Sequence, residues 1–590
     1  MKLSDYVIQF VEKQNIKHVF MLPGGGSMHL VDSLGKSKKL RYICNLHEQA
    51  AAIAADAYSQ YTNNLGVVLV TTGPGGTNTI TGVAGAWLDS VPVLFISGQV
   101  KTPDLMGSRK VRQIGFQEID IVSLVKPITK YAVTVTDEKT IKYHLEKALH
   151  LAKSGRPGPV WIDIPLDIQA ADINEKKIPT YKTPKEKKIP FLAKRVAKVV
   201  KLLQKSQNPV ILVGNGVRLA DAEKELQELL EILKIPVLAT WKSIDFFPEN
   251  HPYYVGRPGT VAQRGANFTQ QKADCLIVLG ARLDFGQTAY NHKNFAPKAK
   301  KIIVDADKNE IKKMETHIAV PVACDAKLFL QEILKYKKTL SRMDHSNWLN
   351  KCKTWQKKYP VLLPEYKTHR GVNDYVLLEA LSQEMNAKDL LVPGSSGACS
   401  ERTMQAFKVK KGMRVFNSQG LGAMGFGVPM ALGACLASGK KRTICIDGDG
   451  GFIMNVQELQ VIRNKNLPIK FFILNNSGYA SIRISQENYF NKNYVASSKE
   501  SGLLLPDYQK IAKAFGIPSY KIKNSKELHT IIRKTFKTKG PVICEVFVDP
   551  KQVTAPRVMS KKLANGQMES SPMEDLWPFL DRKEFFAIME

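Results

Sequence analysis

The sequence predicts an α/β protein of three Rossmann-like, doubly wound domains with parallel sheets. Three observations lead there. At 590 residues the chain is too long for a single core. Short apolar, β-rich runs alternate with helical patterns along its length, as expected for strands buried on both faces. Polar stretches rich in Lys and Pro interrupt that alternation and mark domain boundaries.

The opening "MKLSDYVIQFVEKQ" reads as an amphipathic helix starting near Ser4 rather than a signal peptide. No apolar run reaches the roughly 18 residues needed to span a membrane. In residues 1–170 the strand-like runs are "GVVLVTT", "VPVLFISG" and "PVWIDIP". Residues 171–190 read as a linker, and "NPVILVGNGV", "CLIVLGARL" and "KIIVDAD" mark a second block over 191–340. A second linker, 341–368, leads into a third block over 369–550, where "DLLVPGSS", "RTICIDGDG", "IKFFILNN" and "PVICEVFV" repeat the pattern. Residues 551–590 show little periodicity and are expected to form a tail or lid.

A composition of 44% hydrophobic and 24% charged residues is that of a globular protein. The net charge of +31 raises the question of nucleic-acid binding. The lysines, however, are spread over linkers and helix faces with no recognition module around them, so neither nucleic acid nor membrane is an expected partner. The charge instead suits attraction of small anionic substrates. The eight cysteines (Cys44, Cys275, Cys324, Cys352, Cys399, Cys435, Cys445, Cys544) form no CxxC pair. They read as reduced, mostly buried thiols of a cytoplasmic protein rather than a disulfide framework or zinc site.

The stretch "GDGGFIMNVQELQVIRNKNLPIKFFILNN", Gly448 to Asn476, carries the chemistry. An apolar strand runs straight into Asp449, placing that acid just beyond a strand's carboxyl end, where ligands bind in open α/β sheets. Gly448, Gly450 and Gly451 let the backbone approach a phosphate, and the helical segment that follows adds amide donors at its N-terminus. The next strand delivers Asn475 and Asn476 to the same edge. Asp449 and Asn476 can therefore share a hard cation such as Mg²⁺ with substrate phosphates.

GDG, 24 intervening residues and NN resemble the thiamine diphosphate motif. The resemblance implies that Asp449, the Asn476 side chain and the Gly478 carbonyl hold Mg²⁺. "NLHEQAAAIAADAYSQ" resembles the segment whose glutamate, here Glu48, hydrogen-bonds the aminopyrimidine ring so that the cofactor can lose its C2 proton. "VTTGPGGTNTITGVAGAWLDSVPVLFISGQV" and "GRPGPVWIDIP" resemble the pyrimidine-binding domain of the acetolactate synthase large-subunit group. In "NSQGLGAMGFGVPMALGA", Met424 resembles the residue that props the cofactor in a bent shape, with Gly422 beside it. Ser400 and Tyr479 complete the implied cofactor contacts.

The likeness runs from "PGGGSMHLVDSL" to about Asp549 and implies pyrimidine-binding, central and diphosphate-binding domains in that order. It also implies a homodimer or homotetramer in which Glu48 and Asp449 of one site come from different chains. "VRQIGFQEIDIV" resembles the acetolactate synthase segment, which implies that Phe116 and Gln117 face the cofactor, and the chain lacks the adjacent histidines of the simple pyruvate decarboxylase pattern. The expected activity is therefore decarboxylation of a 2-keto acid, pyruvate above all, with transfer of the two-carbon unit to a carbonyl acceptor.

In the middle block "VGNGV", "GRPGT", "LGARLD" and "IVDADKNEI" resemble FAD-contacting segments and implicate Arg156, Gly214, Gly216, Arg282, Asp305 and Asp325. "ARLDF" departs from the family text, which leaves an empty Rossmann-like fold as the alternative. Ser485 stands where the family has tryptophan and Leu166 where it has lysine, changes that make the acceptor pocket larger or less polar. They keep open acetyl transfer to a nucleotide-linked keto-deoxysugar, with Arg483 and "SSPMEDLWPF" as contacts, and simple decarboxylation. An NAD-dependent dehydrogenase is disfavoured because "VGNGVRLAD" has Leu219 at the third glycine position.

Overall fold

The computed structural model describes residues 1–184, 189–368, 371–562 and 565–590. Residues 185–188 of the expected first linker lie outside them.

The apolar runs become three six-stranded sheets, parallel throughout. The first holds β1 (His18–Met21), β2 (Arg41–Cys44), β3 (Gly66–Val70), β4 (Val93–Gln99), β5 (Tyr131–Thr134) and β6 (Val160–Pro165) in the order β2-β1-β3-β4-β6-β5. The second holds β7 (Pro209–Val213), β8 (Val237–Ala239), β9 (Tyr254–Gly256), β10 (Cys275–Leu279), β11 (Lys300–Asp305) and β12 (Val320–Ala323) in the order β12-β11-β10-β7-β8-β9. The third holds β13 (Leu390–Pro393), β14 (Arg414–Val415), β15 (Thr443–Gly448), β16 (Ile469–Asn475), β17 (Ser519–Ile522) and β18 (Val542–Phe547) in the order β14-β13-β15-β16-β18-β17. The first and third sheets thus share one topology. The middle sheet has the dinucleotide-fold order, with its switch point between β7 and β10.

Small residues bring the first and third domains together. The helix Glu48–Thr62 is alanine-rich and packs on the helix Gly427–Ala437. A Cβ on Gly433 would stand 2.0 Å from the Ala54 carbonyl oxygen, so only glycine permits that approach. One apolar cluster accordingly runs from Leu3 through the first sheet into Met430 and Phe471.

One stretch differs from the sequence expectation, and a second is more ordered than its weak periodicity suggests. Residues 341–368, read as a linker, carry the helix Ser346–Lys358, whose Trp348, Cys352 and Trp355 are buried against the central domain. The tail is likewise docked. It forms a hairpin of β19 (Ser560–Lys562) and β20 (Met568–Ser570), then the helix Arg582–Met589, with Phe585 buried in the same apolar cluster as Trp348. Arg264, Asn267 and Gln271 share one face of the helix Arg264–Gln271 and satisfy the tail. Arg264 donates to the Leu576 carbonyl at 3.0 Å and Asn267 to that of Met573 at 2.6 Å. Both share a cause: irregular or weakly periodic chain still folds where its apolar residues find a cluster.

The helix expected after Gly451 is broken into Asp449–Phe452, a 3₁₀ turn Ile453–Asn455 and Glu458–Asn464. Asn455 sits at the break, where its amide donates to the Gly425 carbonyl at 2.8 Å and to Gln49 Oε1 at 3.0 Å. Among the described residues no helix is long and apolar enough to cross a membrane. All eight cysteines are free thiols, with Cys44 alone exposed.

Candidate active site

Strands β15 and β16 pair in parallel with Gly448 opposite Leu474, so Asp449 and Asn475–Asn476 leave the sheet at one edge. Asp449 is 1% exposed. Its Oδ1 accepts from the Gly450 N–H at 2.8 Å, and its Oδ2 from those of Asn476 and Gly478, each at 3.1 Å. Tyr508 donates its hydroxyl to the Asp449 carbonyl at 2.7 Å. Burial pushes the Asp449 carboxyl up to about 6, against the pull of the Gly450, Gly478 and Asn476 amides.

Glycine makes room around this acid. A Cβ on Gly450 would stand 2.2 Å from the Tyr479 ring and 3.2 Å from Met424 Cε, so three of the expected cofactor-contacting residues meet here. Gly478 has φ +149° and a Cβ on it would stand 2.3 Å from the Ser497 carbonyl oxygen. Gly422, at φ +62°, lies near the Ser395 carbonyl. Ser400 is buried on the helix Gly397–Ala406, which follows β13. Arg483 Nη2 reaches both the Oδ1 and the backbone oxygen of Asn476 at 3.1 Å, and the Pro550 carbonyl at 3.2 Å.

These residues fit a magnesium diphosphate. The acid, the Asn476 amide oxygen and the Gly478 carbonyl are hard oxygen donors, and the space beside Gly448 is open. Among the described residues no three His, Cys, Asp or Glu side chains gather as a metal site. A cation here would need phosphate oxygens to complete its shell.

The first domain supplies a second group of candidates. Glu48 opens its helix at 5% exposure, with His47 as the cap that accepts from the Gln49 N–H at 3.1 Å. Asn78 donates to Glu48 Oε2 at 2.9 Å. The turn before Glu48 is gripped from the third domain, where Glu458 accepts from Asn45 at 2.9 Å and from the Leu46 N–H at 2.8 Å. Phe116 is 85% exposed, and Gln117 is left-handed at φ +62°. Leu166 and Ser485 are half-buried on the helices Leu166–Ala170 and Ala480–Tyr489.

At the switch point of the middle sheet lies a cavity of about 1230 Å³, above the roughly 300–1,000 Å³ of ordinary ligand pockets. Arg156, Gly216, Arg282, Asp305 and Asp325 line it, together with residues of the first and third domains such as Ser90 and Gln419. Gly214 stands behind the wall, where a Cβ would come within 2.3 Å of Ala281 Cα. Arg156 is paired with Glu310 at 2.5 Å and Arg282 with Asp284 at 2.6 Å. Burial raises the Asp305 carboxyl. The glycine-lined switch point and the volume fit a dinucleotide.

Sequence reasoning missed Glu458, Tyr508 and a junction of all three domains. There Lys242 donates to Asn417 O at 2.7 Å and to Gln60 Oε1 at 3.0 Å, while the buried Asp245 pairs with Arg218 and Arg414, each at 2.9 Å. Asp447 was also missed, although an acid inside the buried run "TICID" was a readable signal. Burial pushes its carboxyl up to about 7.

Comparison with known proteins gives the family and the order of its domains. Three descriptions match in chain order: the N-terminal thiamine pyrophosphate (TPP) binding domain over residues 1–124, the central domain over 196–333 and the C-terminal TPP binding domain over 395–546. The chain belongs to the thiamine pyrophosphate enzymes. Within them it is similar over almost its full length to acetolactate synthases. It is 34% identical to the large subunit of Cyanidium caldarium over 574 residues, 95% of both chains. With the large subunit of Pyropia yezoensis it shares 33% over 571 residues, 95% of this chain and 94% of that one. With acetolactate synthase 2, chloroplastic, of Nicotiana tabacum it shares 32% over 577 residues, 95% and 84% of the two chains.

Proposed function

We infer that this chain is a thiamine diphosphate-dependent carboligase of the acetolactate synthase type: two pyruvates give acetolactate and CO₂. The observation that carries this reading is the buried Asp449 beside Asn476 at the ends of adjacent parallel strands, in a chain similar to acetolactate synthases throughout. The cofactor, when bound, supplies the carbon nucleophile and the electron sink. The protein's part is to hold and orient. Asp449, the Asn476 side chain and the Gly478 carbonyl hold Mg²⁺, while Gly450, Gly451, Gly422, Met424, Tyr479 and Ser400 shape the cradle. Glu48 hydrogen-bonds the pyrimidine ring, and Phe116 and Gln117 face the acceptor.

The central cavity takes FAD, supported by its size and by the five expected residues that line it. The working unit is a homodimer or a larger assembly in which Glu48 of one chain serves Asp449 of another. In support, Phe116 stands exposed on the chain by itself, where a second chain would cover it. Eight free thiols suit a reducing compartment such as the cytoplasm.

The test is to supply purified protein with Mg²⁺, thiamine diphosphate and ¹³C-pyruvate and to identify products by NMR. Labelled acetolactate is the expected product. Release of CO₂ and acetaldehyde alone would remove pyruvate as acceptor. A flavin absorption band in the purified protein checks the cavity assignment.

A further inference from the structure

Between the turn ending at Asp104 and the helix Ile121–Val125 runs a loop with no regular structure, mostly exposed, that carries Phe116 and Gln117. One of its residues is the reverse of exposed. Glu118 is 5% exposed, a costly place for a carboxylate unless donors meet it. They do. Its Oε1 accepts from the Met106 N–H, and its Oε2 from those of Ile114 at 2.9 Å and Gly115 at 3.2 Å. Charge-assisted bonds of this kind are about twice as strong as neutral ones.

Glu118 therefore ties both ends of the loop to one point. Its own backbone closes the knot: its N–H donates to the Gly115 carbonyl at 3.1 Å, and its carbonyl accepts from Gln113 Nε2 at 3.0 Å. The next residue anchors it to the sheet, since Gln99 on β4 donates to the Ile119 carbonyl at 3.0 Å and accepts from Thr72 Oγ1 at 2.6 Å. Gly73 completes the seat. A Cβ there would stand 2.3 Å from the Gln117 carbonyl oxygen, so the backbone of Gln117 lies directly on that turn.

We propose that Glu118 is a positioning residue, whose carboxylate folds residues 106–117 around itself and so holds Phe116 and Gln117 at the acceptor side of the site. The proposal rests on the carboligase reading above. The two-carbon unit left by decarboxylation of pyruvate has two fates. It forms a carbon–carbon bond to the keto carbon of a second pyruvate, giving acetolactate, or it takes a proton from water and leaves as acetaldehyde. A loop held in one conformation that seats the acceptor favours the first fate, and both Glu118 carboxylate oxygens are taken up by backbone donors.

The test measures the ratio of acetolactate to acetaldehyde from ¹³C-pyruvate for wild type, Glu118→Ala, Glu118→Gln and Phe116→Ala, together with hydrogen exchange of the amides of residues 106–117. In Glu118→Ala the ratio is expected to fall about tenfold while pyruvate consumption falls less. Glu118→Gln, whose single amide oxygen keeps part of the acceptor capacity, should be intermediate, with faster exchange at Met106, Ile114 and Gly115. General destabilisation would lower both products together and leave the ratio unmoved. Should Glu118→Ala fail to fold, the ratio and exchange in Glu118→Gln decide. A ratio that shifts in Phe116→Ala and stays at the wild-type value in both Glu118 variants overturns the positioning role and leaves the carboligase reading intact. Absence of acetolactate from the wild type overturns both.

Discussion

The Glu458 carboxylate, in the third domain, receives the side-chain amide of Asn45, in the first, at 2.9 Å, across 413 residues of sequence. With the Leu46 N–H on its other oxygen it fixes the turn that ends at Glu48. A residue outside the cofactor cradle thereby sets where the candidate catalytic glutamate begins its helix.

Glu458→Ala leaves the buried Asn45 amide without its acceptor and the Leu46 N–H open to water, and is expected to cost about 2 kcal/mol. Denaturant unfolding of the variant against the wild type measures this. A loss under about 1 kcal/mol would mean that the clamp is replaced by water.

Asp449→Asn is expected to abolish the rise in melting temperature that thiamine diphosphate with Mg²⁺ gives the wild type, because ligand binding to the folded state is what raises it. Glu48→Gln should keep that rise while turnover falls on the order of 10²-fold or more. Thermal melts with and without cofactor, run beside a pyruvate-consumption assay, separate the two. A full melting shift in Asp449→Asn removes it as the cation ligand.

Asp163 provides a pH prediction. It is 1% exposed on β6, where Oδ1 accepts from Ser97 at 2.5 Å and Oδ2 from Thr134 at 3.0 Å and Gln99 at 3.2 Å. Burial nevertheless pushes its carboxyl from the ordinary 3.8 up to about 7. Between those values the folded protein binds more protons than the unfolded chain, so the stability this group contributes is full below pH about 4 and is lost as pH rises to about 7. Stability measured against pH should therefore decline less over that window in Asp163→Asn. Equal slopes would show that Asp163 is ionised throughout.

Gly216→Val tests the cavity wall. Even a Cβ at this position would stand 2.7 Å from Gly280 Cα, backbone against backbone. The variant should lose about 2 kcal/mol of stability through overpacking and carry no flavin absorption band. Retention of a full flavin complement would place the dinucleotide elsewhere.

What the sequence by itself determined was local or repetitive. A strand, a glycine turn and an acid are neighbours in the chain, and parallel strands align their ends. "GDGG" and "FILNN" were therefore enough to bring Asp449 and Asn476 to one edge, and alternating apolar runs were enough for three parallel sheets. Glu48 was singled out by the resemblance of "NLHEQAAAIAADAYSQ" to a family segment, and the structure places it at the start of the helix Glu48–Thr62. Tertiary structure alone decided the rest. The Glu458 clamp, the three-domain junction at Lys242 and Asp245 and the docking of the tail on Arg264 and Asn267 all join residues far apart in sequence. Local pattern carries no record of such pairings: they arise when buried polar groups must find partners after the apolar faces have chosen how the domains meet.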